Sequence, residues 1–473
     1  MGISNLMDIA STALNAQRMA LEVTGENITN VNTPGYSRQT AVLQTMPTTL
    51  SSGFPMGNGV KVAAIQRYYD SFLQGQLLTG NAAKGQATTT NSALQMVQPM
   101  FNDLTTDGLS QSLQDFFSAW QDLSANAQGV PERQVVLSTG QRLVEDFHRI
   151  SSYLTDVKDS MNQSLQGLTA DINDQLNQVA QLNNSIKQAE VTGGEANELR
   201  DQRELLIRQL SSNMGITSQE QLDGSVDVNL STGQPLVTGA SAASLSLVPD
   251  PANSNYFDVM LTPPGGGAAV TATSFIGGPG GSNSQGKIGG MLQVRDVTVN
   301  GYLASLDEVA ATLAGQVNTL HAAGFDLAGN TGLDFFTTPA TAATIALNFT
   351  SASNVAAADT DPAVGGTGNN RNSQKIASLF DKPIAMTGGI MTMSDFYTSL
   401  VGTVGVDLQA AGRADIQSTS MVLQLETLRE SNSGVSLDEE LSNLMKYQKA
   451  YQGAAKVINV ATDMLDTVLG LVR

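Results

Sequence analysis

The sequence contains no cysteine and only two histidines among its 473 residues. The first absence excludes disulfides, thiolate metal sites and a cysteine nucleophile. The second removes nearly every candidate for the usual general base or metal ligand. Charged residues make up only 14% of the chain, and 43 acidic residues outnumber 24 basic ones, for a net charge of -19. Because a nucleic-acid binder needs a basic stripe to neutralise phosphates, we expect no nucleic-acid partner.

Long apolar runs are also missing. No stretch reaches the roughly 20 apolar residues of a membrane span, so we expect no membrane insertion. Asp8 stands where a cleavable signal peptide has its apolar core, and the first cation is Arg18. The opening residues resemble a myristoylation site, but Leu6 replaces the expected Ser or Thr. We predict no cleavable secretory signal, which does not by itself mean that the protein stays in the cytoplasm.

Both ends of the chain carry apolar residues at alternating steps of three and four, the pattern of a coiled-coil seam. The pattern is stricter in the last helix than in the first. Ordinary core packing is the simpler explanation of such a pattern, but a pair of helices rich in Ala, Met, Leu, Gln and Thr buries little apolar surface and is marginal alone. We therefore predict that other molecules complete the seam. The predicted assembly seam consists of Ile3, Met7, Leu14, Leu21, Ile28, Leu437, Leu441, Leu444, Tyr451, Ile458, Leu465 and Leu469.

The first helix is expected to stop abruptly at the stretch "NITNVNTPGYSRQ". Pro34 disfavours helical backbone at Thr33, and Thr-Pro-Gly-Tyr suits a type II turn with Pro34 and Gly35 at its centre. Asparagine side chains at the helix end can hydrogen-bond to backbone and make the stop a defined joint. The predicted domain joint consists of Asn27, Asn30, Asn32, Thr33, Pro34, Gly35 and Tyr36.

The last helix is expected to begin at "SLDE". Ser436 can cap the helix while Glu439 reaches back to the cap amide. Asp438, Glu439 and Glu440 then lie in the first turn, where the helix dipole favours negative charge. This role explains the acidic pair Glu439 and Glu440 more simply than general acid and base catalysis does.

Helical patterns fill most of the middle of the chain. From Pro131 to about Glu190 apolar residues continue without a breaker, which predicts one helix of roughly 80 to 90 Å. Phe116, Phe117 and Trp120 share a helical face and are predicted as core. Short β-type runs separated by Gly, Pro, Asn and Asp follow from Met214 to about Gly286.

The predicted fold class is mainly α, with a terminal coiled-coil pair, a long helical-bundle middle domain and an inserted small outer β domain. Helices are expected again after the β-type runs. A loop rich in Gly, Ala, Thr and Asn follows these helices. The predicted divisions are a terminal helical domain of residues 1–32 and 437–473, a middle domain of 33–214 and 287–436, a β domain of 215–286, and a loop of 337–372.

Three motifs imitate sites of chemistry. Gly281 to Lys287 fits a phosphate loop up to the position at which Ile288 replaces the required Ser or Thr, so a flexible junction is the better interpretation. Asp326 to Asp334 resembles a calcium loop but lacks the glycine that such a loop needs, which favours a simple loop turn. His148 and His321 are predicted to be structural or surface residues. We predict no catalytic residue, no cofactor and no metal site.

The two ends, "GENITNVNTPGYSRQ" and "GVSLDEELSNLMKYQKAYQGAAKVINVATDMLDTVLGLVR", resemble the signature segments of the bacterial flagellar axial proteins. Within that group, "LSQSLQDFFSAWQDLSANAQGVPERQVVLSTGQRLVEDF", "ANELRDQRELLIRQLS" and "VNTLHAAGFDLAGNTGLDFF" resemble the hook-associated proteins of the hook-filament junction. The resemblance covers both ends and most of the middle. Longer members carry a further outer domain after the "DFF" segment, where this chain has only residues 337–372.

The resemblance implies a structural role at the distal end of the hook, with paired terminal helices lining a central export channel. Its implied partners are further copies in a helical tube, the hook protein, the second hook-filament junction protein, an export chaperone on the C-terminal helices and the flagellar type III export apparatus. It also implies an extracellular location, reached without signal cleavage. The alternatives are another axial protein of the hook, rod or junction, and a secreted cell-wall hydrolase with rod-like ends. A pore-forming translocator would need apolar spans, which the chain does not have.

Overall fold

Helices dominate the computed structural model, which describes residues 2–51, 54–101, 108–191, 193–276 and 285–471. The helices are α1 Gly2–Thr29, α2 Ser71–Val97, α3 Leu109–Ala125, α4 Val130–Glu190, α5 Asn197–Asn213, α6 Thr273–Ile276, α7 Gly286–Gln293, α8 Val299–Ala323, α9 Pro362–Gly365, α10 Arg371–Ala377, α11 Met393–Ser433 and α12 Leu437–Leu471. One turn of π-helix, Val294–Thr298, joins α7 to α8.

The strands form small antiparallel sheets. They are β1 Gln39–Thr45, β2 Thr49–Ser51, β3 Phe54–Met56, β4 Val60–Arg67, β5 Ile216–Glu220, β6 Val226–Leu230, β7 Pro235–Thr238, β8 Ser241–Ala242, β9 Ser244–Asp250, β10 Tyr256–Thr262, β11 Val270–Thr271, β12 Ile384–Met386 and β13 Gly389–Met391. Strands β5-β6-β7-β8 form one sheet and β11-β10-β9 another, while β1 pairs with β4. The fold class predicted from the sequence is confirmed.

The long helix α4 is the spine of the molecule, as its unbroken apolar period predicts. It spans 61 residues with Pro131 in its first turn, and its rise gives a length of about 92 Å. Its first half is buried against α3, α8 and residues 335–357 in one core. Its second half is buried against α5 and the strands of 216–271 in a second core. The strands of 216–271 therefore pack on the same helix that supports the first core.

The segment of residues 337–372 is packed against the first core rather than standing out as a free loop. Ala342, Ile345, Val355 and Ala357 are fully buried. The neighbouring Phe335 and Phe336 close the same core, with their ring centroids 4.9 Å apart. Small alanine side chains fit closely against the helices of this core. Because they do not recur at a regular spacing, the sequence gives no sign of their burial.

The terminal helices α1 and α12 pack on each other, and each is followed or preceded by an element that packs on the body. Helix α1 contacts α12 and the β1-β4 hairpin, while α11 packs along α2. The chain enters the body after α1 and leaves it again between α11 and α12. The predicted boundaries of the domains stay a prediction.

No helix within the described ranges has both the length and the apolar character that crossing a membrane requires.

Candidate functional site

The turn after α1 has the predicted type II geometry. The Thr33 carbonyl accepts the Tyr36 N–H at 3.2 Å, and Gly35 has a φ of +85°, as the third position of such a turn requires. The Asn30 side chain donates to the Glu26 carbonyl at 3.1 Å, so it holds the helix end as expected. The Asn32 side chain is exposed, and its part in the joint stays a prediction.

Asn27 is the centre of a buried polar cluster, with an exposed fraction of 1%. Its Nδ2 donates to the Gln39 carbonyl at 2.9 Å and to Glu440 Oε2 at 3.0 Å. Its Oδ1 accepts the Tyr36 hydroxyl at 2.9 Å and the Gln39 N–H at 3.0 Å. All four hydrogen-bonding positions of the amide are therefore used, and they join α1 to the turn, to β1 and to the start of α12.

Arg38 closes this cluster from the other side. Its Nε donates to Glu440 Oε1 at 2.8 Å and its Nη1 to Glu439 Oε2 at 2.7 Å. Its backbone N–H donates to the Ser433 carbonyl, at the end of α11, at 2.9 Å. The Glu440 side chain is only 2% exposed, so its charge depends on Arg38 and Asn27 for the solvation that it has lost.

The start of α12 differs from the predicted capping box. Glu439 binds Arg38 instead of reaching back to the cap amide. Ser436 contributes its carbonyl, which accepts the Glu440 N–H at 2.9 Å, and its hydroxyl oxygen accepts no backbone N–H among the described residues. Glu439 and Glu440 at this helix end bind Arg38, which is distant in sequence. This contact replaces the local cap that Glu439 could have made.

Helix α5 supports the turn from beneath. Asp201 accepts the Ser37 N–H at 2.8 Å and Arg67 Nη1 at 2.9 Å, and Arg67 also donates to Glu204 at 2.8 Å. Asn197 donates to Gln39 Oε1 at 3.1 Å. The first turns of α5 therefore hold the chain that follows α1 through charge-assisted hydrogen bonds.

Burial sets the protonation states in this cluster. It raises the pKa of Tyr36, with the charges of Glu26 and Asp201 adding to the effect, so the hydroxyl keeps its proton for Asn27. Burial also raises the pKa of Asp201, against the opposing hydrogen bonds from Ser37 and Arg67. We call the cluster of Asn27, Tyr36, Arg38, Gln39, Glu439 and Glu440 the joint cluster.

The structure brings some of the predicted seam together and leaves much of it open. Ile3, Met7, Leu14, Leu21 and Ile28 are half-buried, as are Leu444 and Ile458. Five members are exposed by 38% to 58%: Leu437, Leu441, Tyr451, Leu465 and Leu469. The side chains that α1 buries are smaller or polar and follow a different line: Ala10, Ala16, Ala20, Val23, Thr24 and Asn27. The part of the seam in subunit contacts stays a prediction.

Sequence reasoning missed Arg38, Gln39, Asn197, Asp201 and the pairing of Glu440. Arg38 and Gln39 directly follow the turn motif, so their place in the signature segment was an available signal. The partners lie too far away in sequence for any spacing rule to find, since 402 positions separate Arg38 from Glu440.

Gly35 is the position of the turn at which a side chain costs most. A Cβ there would lie 3.2 Å from Leu205 Cβ, and the positive φ strains any L residue. We expect Gly35→Ala to lower the free energy of unfolding by about 1–2 kcal/mol, and Pro34→Ala by less than about 1 kcal/mol. Urea unfolding of both variants measures this difference. Equal and small losses would show that the turn is not constrained.

The motifs that imitate sites of chemistry have structural roles where they are described. Asp326 accepts the N–H groups of Ala328 and Asn330 at 2.8 Å each, which confirms a loop turn. His321 is buried between the Leu333 carbonyl and the Ala356 N–H, and His148 contacts the Ile345 carbonyl at 2.8 Å. Four residues of the phosphate-loop motif, 281–284, lie outside the described residues. Within the described residues, no three acidic or histidine side chains gather as a metal site would require.

A helix pair at the two chain ends, held to a long helical body by a polar joint, is the arrangement of a flagellar axial protein. Residues 7–36 match the family model described as "Flagella basal body rod protein", and residues 429–471 match "Flagellar basal body rod FlgEFG protein C-terminal". Residues 94–336 match "Flagellar hook-associated protein FlgK helical domain". The chain belongs to the FlgK family of flagellar hook-associated proteins.

Relatives match over nearly the whole chain. Flagellar hook-associated protein 1 of Bacillus subtilis is 29% identical, with 98% of this chain and 97% of that protein covered. The protein of the same name from Salmonella typhimurium is 27% identical, with 99% of this chain and 100% of that protein covered. The structure of the flagellar hook junction protein FlgK from Burkholderia pseudomallei matches with a TM-score of 0.66 at 18% identity, covering 75% of this chain and 100% of that one. That likeness shows the shared fold.

Proposed function

We propose that this protein is a non-catalytic structural junction protein, which assembles with further copies of itself at the distal end of the flagellar hook and connects hook to filament. Its membership of the hook-associated family supports the place, and the names of its relatives support the role. The hook protein and the second junction protein would be its neighbours along the axis.

The observation that carries this proposal is the open surface of α12. Across its 35 residues this helix buries only Glu440 and Ala461. Apolar residues at seam spacing remain exposed, and such a helix is marginal without further partners. Assembly with other copies would bury this surface and would thereby stabilise the terminal helices.

We propose that the protein is also exported, as its membership of the hook-associated family suggests. The protein would leave the cell through the flagellar type III apparatus and act outside it, and a chaperone on the C-terminal helices would cover the apolar residues beforehand. A chain without cysteine cannot form wrong disulfides on the way.

Removal of the terminal helices tests the proposal. A chain that lacks residues 1–32 and 437–473 is expected to remain a folded, soluble monomer, because both cores lie outside these helices, and to be absent from the hook tip. Circular dichroism and sedimentation measure the first part, and immunoblotting of isolated flagella from cells without their own copy measures the second. Normal incorporation of the shortened chain would contradict the proposal.

A milder variant separates assembly from export. Leu441→Gln with Leu465→Gln changes two exposed seam residues and leaves the joint cluster intact, and we expect the variant to reach the medium but not the flagellum. The matched control is Ile416→Gln with Leu423→Gln on the exposed face of α11, which we expect to assemble normally.

A further inference from the structure

Helix α12 carries a second apolar stripe outside the predicted seam. Five exposed residues follow each other at steps of three and four along its second half: Val457, Val460, Met464, Val468 and Leu471. This spacing places them on one face of the helix. On an ideal helix of 3.6 residues per turn, that face lies about a quarter turn away from Glu440 and Ala461, the buried residues. The stripe therefore lies to one side of the face that packs on α1 of the same chain, and α1 leaves it exposed.

Three lysines continue this outer face toward the joint. Lys446, Lys449 and Lys456 are exposed, and the ion pairs of the described residues include none of them. Acidic groups outnumber basic ones in this chain, with a net charge of -19. Three lysines without an acidic partner on one helix face therefore form a basic patch that is unusual for this protein.

Helix α1 carries the opposite charge on its own exposed side. Asp8, Glu22 and Glu26 are exposed there, and Arg18 pairs with one of them, its Nε lying 3.9 Å from Glu22. Burial raises the pKa of Glu26, and the charges of Glu198 and Glu22 raise it further. Asp8 and Glu26 take part in no ion pair among the described residues, so the exposed side of α1 keeps an excess of negative charge.

The acidic and basic groups stand at matching heights along the helix pair. The contact between Asn27 and Glu440 sets a common origin, from which the two antiparallel helices rise. Glu22 and Lys446 then lie about 8 and 9 Å from it, and Asp8 and Lys456 about 29 and 24 Å. No ion pair joins α1 to α12 among the described residues, so the acidic groups of α1 and the lysines of α12 do not pair within one chain. Contact with a second molecule would bring them together.

Resting on the assembly proposed above, we infer that the outer face of α12 packs against α1 of a second copy, with the three lysines beside its Asp8 and Glu22 and the apolar stripe beside its Ile3 and Met7. The two faces are different surfaces of the chain, so the interface is heterologous. Repetition of such a contact generates a ring or a helical tube, whereas a self-complementary face would stop at a dimer. The charges select the partner face, since each exposed pair stabilises little while like charges in contact are costly.

A charge exchange tests this interface, because the mismatch can be repaired from the partner. Variant A carries Lys446→Glu, Lys449→Glu and Lys456→Glu, and variant B carries Asp8→Lys and Glu22→Lys. The exchanged chain carries all five changes. Each is expressed in full length in cells that lack their own copy, and the chain is measured in sheared flagella together with the fraction of cells that bear filaments.

Variants A and B alone are each expected to lower incorporation about tenfold or more. Coexpression of A and B pairs every altered face with its complement, so incorporation should return to within about twofold of the wild type, as it should for the exchanged chain. The matched control, Arg371→Glu with Lys375→Glu and Lys382→Glu, makes the charge change of variant A far from the terminal helices and is expected to incorporate normally.

Two results would overturn the inference. One is normal incorporation of A and B alone. The other is a defect that neither coexpression nor the exchanged chain repairs, although circular dichroism shows folded protein and the medium contains it. Both leave the proposed function standing, since the wild-type chain is present in the flagella of the same experiment. Absence of the wild-type chain from flagella would instead contradict the proposed function itself.

Discussion

Replacing Arg38 by alanine is expected to weaken the hold on the terminal helices by about 3 kcal/mol, because a buried charge without its partner is costly. Glu440 is 2% exposed and Arg38 supplies its neutralising charge. The loss should be local to the joint cluster, since the two cores do not include it. Hydrogen exchange of the amides between Ser433 and Glu440 measures the free energy of opening, and limited proteolysis in the same segment should release α12 sooner.

The matched control is Glu439→Gln. Glu439 also binds Arg38, but its side chain is 62% exposed, so its removal should cost less than about 1 kcal/mol. The double variant Arg38→Met with Glu440→Met replaces the whole pair by apolar groups and should be more stable than Arg38→Ala. If Arg38→Ala and Glu439→Gln behave alike, Glu440 does not depend on Arg38.

Acid is expected to destabilise the first core through His321. Burial lowers the pKa of this ring to about 4, whereas an unfolded histidine has a pKa of about 6.5. Between these pH values His321 is protonated in the unfolded chain and neutral in the folded chain. The free energy of unfolding is therefore complete above pH 6.5, falls by about 1.4 kcal/mol per pH unit below it, and has lost about 3 kcal/mol from this residue near pH 4.

Urea unfolding between pH 4 and 7 measures this slope. His321→Gln removes the ring and should be less stable at pH 7, but with a shallower dependence on pH. His148→Gln is the control, because the pH dependence due to His321 should survive in it. An unchanged slope in His321→Gln would show that the acid sensitivity has another source.

The sequence was sufficient for the features that repeat locally. The period of α4 predicts its course to Glu190, since every third or fourth residue is buried over its whole length. The turn at Thr33 to Tyr36 could be predicted from Pro34 and Gly35, because both act through their own backbone. Phe116 and Trp120 share one helical face and lie in the core, because burying large aromatic side chains removes much apolar surface from water.

The contacts that close the structure could not be predicted in the same way. Nothing in "SLDE" shows whether Glu439 binds its own helix end or an arginine 401 positions away. The same holds for Ala342 and Ala357, whose small side chains carry no apolar signal until the surrounding helices are in place. The partner of Asn32 could not be predicted either, because an asparagine in a turn has several possible partners and solvent is one of them.

The spine α4 has a mechanical consequence. Its C-terminal end meets α5 through Glu190 and Arg200, with Oε1 and Nε 2.7 Å apart, and the same α5 holds the joint through Asp201. A tilt at that end is therefore carried along a rigid rod. A rotation of about 5° would move the far end, at a distance of about 92 Å, by about 8 Å. A small rotation at the end of α4 beside the joint would thus displace the opposite end of the body by more than the radius of a helix.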